Sequence, residues 1–348
     1  MFCSLAAPAG AEAEMRVSSR FLELISGRSA HAAEAQEQNR LYLCPGGDVF
    51  GIRMRQKGVT VTGYADGDEG RAARDAGLKK RDIIEAVNGK EVLSASDLAA
   101  KVEAAEGEIK LTVRRGGETL TITATPVRGE DGAKLGVTVR DSAAGIGTIT
   151  FRDPENGAFG GLGHGICDAE TGEVIGMKSG EVTGVLLGGI VRGESGKPGE
   201  LRGVLRGDSR GLLTENSECG VFGVLNTPVD KSAAIPVAHK NEVHDGAAQI
   251  ICTLSDGNKA SYSVEIGEIN YESEGTKSFT VRVTDDALLR ISGGIVRGMS
   301  GSPIIQDGRL IGAVTHVLIA DPQRGFGIFI ENMLDAMPQI TVRDGIAA

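Results

Sequence analysis

One segment of eleven residues occurs twice in this chain. Gly188-Gly-Ile-Val-Arg-Gly-Glu-Ser-Gly-Lys-Pro198 and Gly293-Gly-Ile-Val-Arg-Gly-Met-Ser-Gly-Ser-Pro303 agree at nine positions, at an offset of 105 residues. A match of that length predicts two related halves that use the same turn. The residues around it say what the halves are made of. From Gly136 onward, short β-type runs alternate with Gly, Asp and Asn turns: Ile146–Phe151, Val182–Val191, Val221–Leu225, Gln249–Leu254, Ser261–Ile269 and Ser278–Val283. Helical period returns only at Ile330–Met337. Evenly spaced short strands with turn residues between them read as a sandwich or barrel. The repeat favours two barrels.

Composition narrows the partners. The net charge of −10 would repel nucleic-acid phosphates, and 4% aromatic residues with no Trp offer few platforms for stacked bases. The 51 glycines follow no period, which suits a turn-rich β fold rather than collagen or disorder. Cys3, Cys44, Cys167, Cys219 and Cys252 are odd in number and far apart, with no C-x-x-C pair, so neither a metal site nor a disulfide framework is expected. Metal and cofactor are both expected to be absent. No run of about 18 apolar residues, the length of a transmembrane helix, is present. Residues 1–40 read as a leader, with Phe2–Ala7 and Ala11-Glu12-Ala13 resembling the tail of an export signal.

Residues 41–127 have a different texture. LYLCPGGDVFGIRMRQKGVTVTGY alternates as a strand does, Ala72–Gly77 reads as a short helix, and Ser94-Ala-Ser-Asp97 caps a second helix. Ile109–Arg114 and Thr119–Pro126 form a hairpin across Gly116-Gly117. Within this order, Ala73–Val92 follows A-x-x-A-G-L-K-x-x-D-I-I-x-x-V-N-G-K-x-V and resembles a PDZ domain. Such domains add an extended peptide to a sheet edge. The carboxylate-binding loop would correspond to Val49, Phe50, Gly51 and Ile52. Residues 128–140 read as the junction, and 128–348 as the second domain.

The chemistry centres on Ser300. Gly-Met-Ser-Gly-Ser-Pro is followed by an apolar hairpin, Pro303–Ile305 and Leu310–Val314, across Asp307-Gly308. Glycines beside a serine allow a sharp bend and free two N–H groups for a substrate oxygen. The pattern resembles the nucleophile loop of trypsin-like serine proteases. That loop's two-residue spacing would make the N–H groups of Gly298 and Ser300 the oxyanion hole. Ser195, in the other copy, is followed by the charged KPGELRGVLRGDSRG and lacks such a hairpin. A serine needs a base near neutral pH. Of five histidines, His164 sits in the glycine-pressed F-G-G-L-G-H-G-I-C-D, and His316, within a strand, is the runner-up. Cys167 is a minor alternative nucleophile. For a third, orienting carboxylate, Asp285, Asp286, Asp168 and Asp321 all stay open.

Together, GLGHGICD, then VTDD, then GGIVRGMSGSPIIQDGRLIGAVTHVLIADP, behind a PDZ-like segment, closely resemble the stage IV sporulation protein B family of signalling serine peptidases from endospore-forming bacteria. The resemblance implies a mainly β protein, a small α+β PDZ domain followed by a trypsin-like double β-barrel. It implies a catalytic triad at His164, Asp285 and Ser300. It also implies a peptidase exported into the space between forespore and mother cell, where it cleaves the regulatory subunit of a membrane-embedded metalloprotease and so triggers activation of a late sigma factor, sigma-K. Family members cleave themselves. The competing expectation is a non-catalytic PDZ scaffold with a protease-like binding domain.

Overall fold

The computed structural model of the chain describes residues 40–338 apart from 68–69, 130–131, 170–171 and 255–256. The expected leader lies outside the described residues, save for Arg40. In chain order the first part runs β1 (Val49–Tyr64), α1 (Arg71–Asp75), β2 (Ile83–Val87), α2 (Ala95–Glu103), β3 (Ile109–Arg115), β4 (Glu118–Ala124) and β5 (Val137–Arg152). Ser94 caps α2 as expected, its side chain accepting the Asp97 N–H. These elements enclose a core of fully buried Val59, Val61, Ile84, Ile109, Leu111 and Val113, closed by Leu98 and Val102 of α2. Each such side chain contributes about 1.5–3 kcal/mol relative to an exposed one.

β1 and β5 are 16 residues each, and each belongs to two bodies. Thr60–Tyr64 pairs with Arg140–Val137 inside the PDZ-like body, whereas Val49–Arg55 pairs with Thr148–Ser142 beyond it. Between the two stretches the register shifts. Gln56 spans the bulge: its buried amide donates to the Thr60 hydroxyl at 2.8 Å and to the Arg140 carbonyl at 2.9 Å. Gly58 lies there with φ +71°, where a Cβ would come within 2.6 Å of the Ile84 carbonyl oxygen. The expected division at 127/128 therefore cuts across the fold. The PDZ-like body is inserted between two strands of the first barrel, and that barrel begins before it.

The first barrel adds β6 (Ala158–Gly161), β7 (Met177–Val191), β8 (Glu200–Ser217) and β9 (Gly220–Leu225). The ring runs β1–β5–β6–β9–β8–β7 and closes where β7 returns to β1. Phe50, Ile52, Met54, Phe159, Val182 and Val221 fill it. The second barrel is β10 (Gly246–Thr253), β11 (Lys259–Gly267), β12 (Phe279–Val283), β13 (Pro303–Gln306), β14 (Arg309–Leu318) and β15 (Asp321–Phe329), closed in the order β10–β11–β12–β15–β14–β13. Helix α3 (Asp286–Ser292) leads from β12 to the Ser300 loop, and α4 (Ile330–Asp335) follows β15. Phe151 and Phe222 of the first barrel meet Ala313 and Ile328 of the second in a shared core. The expected mainly β, PDZ-bearing, double-barrel class is the observed one.

Candidate active site

The Ser300 loop is held by what it buries and by what it abuts. Ile295, Val296 and Met299 are 2% exposed or less and enter the second barrel's core, which leaves Gly298 and Ser300 on the other side of the chain. Gly301, at φ +94°, lies so close to the first barrel that a Cβ would sit 2.0 Å from the Thr148 carbonyl oxygen. Thr148 on β5 donates its N–H to Ser300 O at 2.9 Å and its hydroxyl to Gly298 O at 2.8 Å. Thr150, two residues on and so on the same face, donates its hydroxyl to Gly301 O at 2.8 Å.

The two copies of the repeat pack against each other. The first forms the tip of the β7–β8 hairpin. Its Gly193 N–H donates to Ser292 O at 2.8 Å, Arg297 N–H donates to Gly199 O at 2.9 Å, and Leu201 N–H donates to Arg297 O at 2.8 Å. Ser195 lies exposed on that tip with its hydroxyl on the Ala320 carbonyl, so it is surface decoration of the loop that carries Ser300. The N–H groups of Gly298 and Ser300 donate to no acceptor among the described residues.

His164 follows β6 in a loop pinned from two sides of the first barrel. Leu162 N–H donates to Thr148 O at 3.1 Å, and Gly165 N–H donates to Glu218 O at 3.0 Å. Buried Asn216 accepts the Ile166 N–H and donates to the carbonyls of Ile166 and Ile175, at 2.8–3.0 Å. That clamp was not expected from the sequence, since a lone Asn at a strand end carries no signal of its own. The His164 Nδ1 faces Gly165 O at 2.9 Å, which sets the proton on Nδ1 and leaves Nε2 as the basic nitrogen. Burial lowers the imidazole's pKa below 6.5, and the Gly165 carbonyl opposes that shift.

The ring of His316 on β14 packs against that of His164, tilted by 34° with centroids 4.9 Å apart. Among the described residues its Nδ1 is buried without a partner, and burial, His164 and Lys277 together bring its pKa down to about 4. The two rings line a cleft of about 460 Å³ with Gly165, Cys167, Glu218 and Thr276. The Cys167 thiol is pushed up, first by desolvation and then by the Glu218 charge, which leaves it protonated and a poor nucleophile near neutral pH. The Ser300 hydroxyl donates to Thr315 O at 2.7 Å.

Asp285 and Val49–Ile52, both expected site residues, meet other bonding in this structure. Asp285 is the N-cap of α3: Oδ1 accepts the N–H groups of Ala287 and Leu288 at 2.9 and 3.0 Å, and Oδ2 accepts that of Ser263 at 3.3 Å. Those bonds lower its pKa, and among the described residues no hydrogen bond joins it to His164. The Gly165 carbonyl is the group facing the imidazole Nδ1. Of the other acids considered, Asp286 is in the first turn of α3 and Asp168 pairs with Arg140. The segment Val49–Ile52 pairs with β5 along its whole length, and Gly51 and Ile52 also pair with β7. With Phe50 and Ile52 only 2% exposed in the barrel core, the segment leaves no edge for a peptide.

The groove of the PDZ-like body lies elsewhere. A cavity of about 230 Å³ runs between Ala95, Leu98, Ala99 and Val102 of α2 and Leu135–Val139 opposite. Gly136 turns there with φ +71°. The ends are tied, since Asp141 accepts the Ala95 N–H at 3.0 Å and Glu103 accepts the Ala133 N–H at 2.7 Å. The apolar–Gly–apolar run Leu135-Gly136-Val137 was the available signal.

Comparison with known proteins finds two family matches along the chain. A family described as SpoIVB peptidase S55 matches residues 131–334, and a PDZ domain family matches 63–115. LL2128 of Lactococcus lactis, named as a zinc metalloprotease, is 35% identical over 85 residues, covering 24% of this chain and 20% of its own length. Serine protease HTRA1 of Xenopus laevis is 41% identical over 54 residues, covering 16% and 12%. The chain thus spans a fifth or less of these curated relatives. Among solved structures, the Rv3671c protease of M. tuberculosis in its active form shares 16% identity over 58% of this chain and 78% of that one, with a TM-score of 0.33.

Proposed function

This chain belongs to the SpoIVB peptidase S55 family, and on that premise we propose that it is a serine endopeptidase. Ser300 is the nucleophile, His164 the general base, and the N–H groups of Gly298 and Ser300 the oxyanion hole. The observation that carries this reading is the pair of unengaged N–H groups, on a loop whose neighbouring carbonyls are all tied down. Donors fixed in advance and aimed at developing charge are the largest single contribution in acyl transfer. The hydroxyl turns from Thr315 O to His164 Nε2, attacks the scissile carbonyl, and the proton passes through His164 to the leaving amine. Water then takes the same route to hydrolyse the acyl-enzyme.

Turnover of an unstructured protein substrate tests this. Ser300→Ala and His164→Ala abolish cleavage and keep the wild-type unfolding temperature. A fluorophosphonate labels the wild type and Ser195→Ala but not Ser300→Ala. Label that persists in Ser300→Ala overturns the assignment. A correctly folded wild type that neither cleaves nor labels favours the non-catalytic scaffold.

The family resemblance supports a finer reading. The protein acts after export, between forespore and mother cell, where it cleaves the regulatory subunit of a membrane-embedded metalloprotease and itself. The sigma-K precursor is then processed. The α2 groove presents the C-terminal segment of the target or of another copy. Co-expression with the regulatory subunit tests this, since its loss must depend on Ser300.

A further inference from the structure

The glycine of the oxyanion hole is the residue best able to turn its N–H away, because no side chain restricts it. Two peptide planes meet at Gly298. In a trans peptide the C=O and N–H point in opposite directions. The Gly298 N–H is therefore aimed by the Arg297 carbonyl, which Leu201 N–H holds at 2.8 Å. The plane on the other side is set by the Gly298 carbonyl, and that oxygen accepts the Thr148 hydroxyl at 2.8 Å. Fixing both planes fixes φ and ψ of the glycine between them.

Thr148 is fully buried, at 0% exposure, on a strand 150 residues away in the chain. A buried hydroxyl is costly without a partner, and this one has its partner in the Ser300 loop. The same residue donates its N–H to Ser300 O and accepts the Leu162 N–H, two residues ahead of His164. One position of the first barrel is thereby bonded to both residues of the proposed oxyanion hole and to the loop of the base.

We propose that Thr148 is a positioning residue whose hydroxyl locks Gly298 with its N–H turned toward the oxyanion. It touches no reacting atom and acts through Gly298. The inference rests on the serine-peptidase reading above. Its signature is a defect confined to the transition state, because an oxyanion hole is engaged only there.

Thr148→Val keeps the shape and the backbone N–H and removes only the hydroxyl. Thr148→Ser keeps the hydroxyl. The expected result is a fall in kcat of about a hundredfold for Thr148→Val, the scale of losing one oxyanion donor. KM stays within about twofold, and Thr148→Ser returns to within about threefold of wild type. Equal kcat in Thr148→Val and wild type overturns the proposal. So does a Ser variant as impaired as the Val variant, which would mean that the methyl group's packing matters instead. Should the wild type itself show no Ser300-dependent turnover, the peptidase reading fails separately. The positioning claim is then judged on the Gly298 amide resonance, and an unchanged shift and exchange rate in Thr148→Val overturns it.

Discussion

The hydroxyl of Ser300 donates to the carbonyl of Thr315 at 2.7 Å. The next residue on that strand, His316, packs its ring against that of His164. One short piece of β14 therefore engages the Ser300 hydroxyl and lies against the His164 ring. Among the described residues no hydrogen bond joins Ser300 to His164. The backbone carbonyls of the Ser300 loop and the loop after β6 are bonded to the first barrel, so the Ser300 side chain is the part of this arrangement with the most freedom to turn. Serine rotamers exchange rapidly on the timescale of turnover.

The pH profile of kcat/KM reports whether His164 ever gains a carboxylate. On the proposed mechanism His164 works as neutral imidazole. Burial holds its pKa below 6.5, so the neutral form persists to lower pH than for an ordinary histidine. The expected acid limb of kcat/KM lies below pH 6.5. A limb above that value would mean that an acid side chain approaches Nδ1 in the working enzyme, since a neighbouring negative charge raises a histidine's pKa.

His316 carries a linked prediction for stability. Its folded pKa of about 4 lies below the unfolded value of 6.5. Between those values the unfolded chain binds the extra proton, so stability rises with pH. The contribution is fully present above pH 6.5 and is lost as pH falls toward 4. His316→Phe preserves a ring against His164 and removes the titration. Thermal unfolding followed from pH 7 to pH 4 is expected to fall less steeply in the variant, and parallel curves would refute the assignment.

The nucleophile hairpin was legible because its signals are local. Asp307 and Gly308 both adopt positive φ, +49° and +74°, as the two-residue turn between apolar runs requires. The PDZ boundary was not legible, because β1 stays paired with β5 across it and changes only its other neighbour, from β7 to β2, and alternation says nothing about which strand lies alongside. Only the bulge at Gln56–Gly58 marks the change. The apolar–Gly–apolar pattern occurs at both Phe50-Gly51-Ile52 and Leu135-Gly136-Val137, and only the fold places the second facing α2. Asp285 was singled out by the family resemblance and not by any signal of its own. Asp ahead of Asp-Ala-Leu-Leu is also the signature of a helix N-cap, and that signature is the one the structure realises.

Asp285 separates a cap from a catalytic acid by chemistry. Asparagine retains the Oδ1 acceptor and caps helices as well as aspartate does, whereas alanine costs about 1 kcal/mol. Asp285→Asn is expected to keep both unfolding temperature and kcat near wild type, while Asp285→Ala lowers the unfolding temperature. In a Ser-His-Asp triad the same Asp→Asn change drops kcat by about 10⁴. A fall of that order with stability intact would restore Asp285 to the triad.

The α2 groove makes a prediction independent of catalysis. Its walls are small and apolar at Ala95, Ala99 and Leu135, and its width is fixed by the Asp141 and Glu103 bonds at either end. A rigid slot of that kind, entered past a glycine turn at Gly136, suits an extended peptide ending in an apolar residue with a free carboxylate. A fluorescent nonapeptide ending in Val, measured by anisotropy on the Ser300→Ala protein so that nothing is cleaved, is the probe. Ala99→Phe fills the slot with a ring and is expected to weaken binding at least tenfold. Amidating the peptide's C-terminus removes the charge and is expected to do the same. An amidated peptide that binds as tightly as the free acid would show that the groove reads side chains alone. Retained binding in Ala99→Phe would place the peptide site outside this groove.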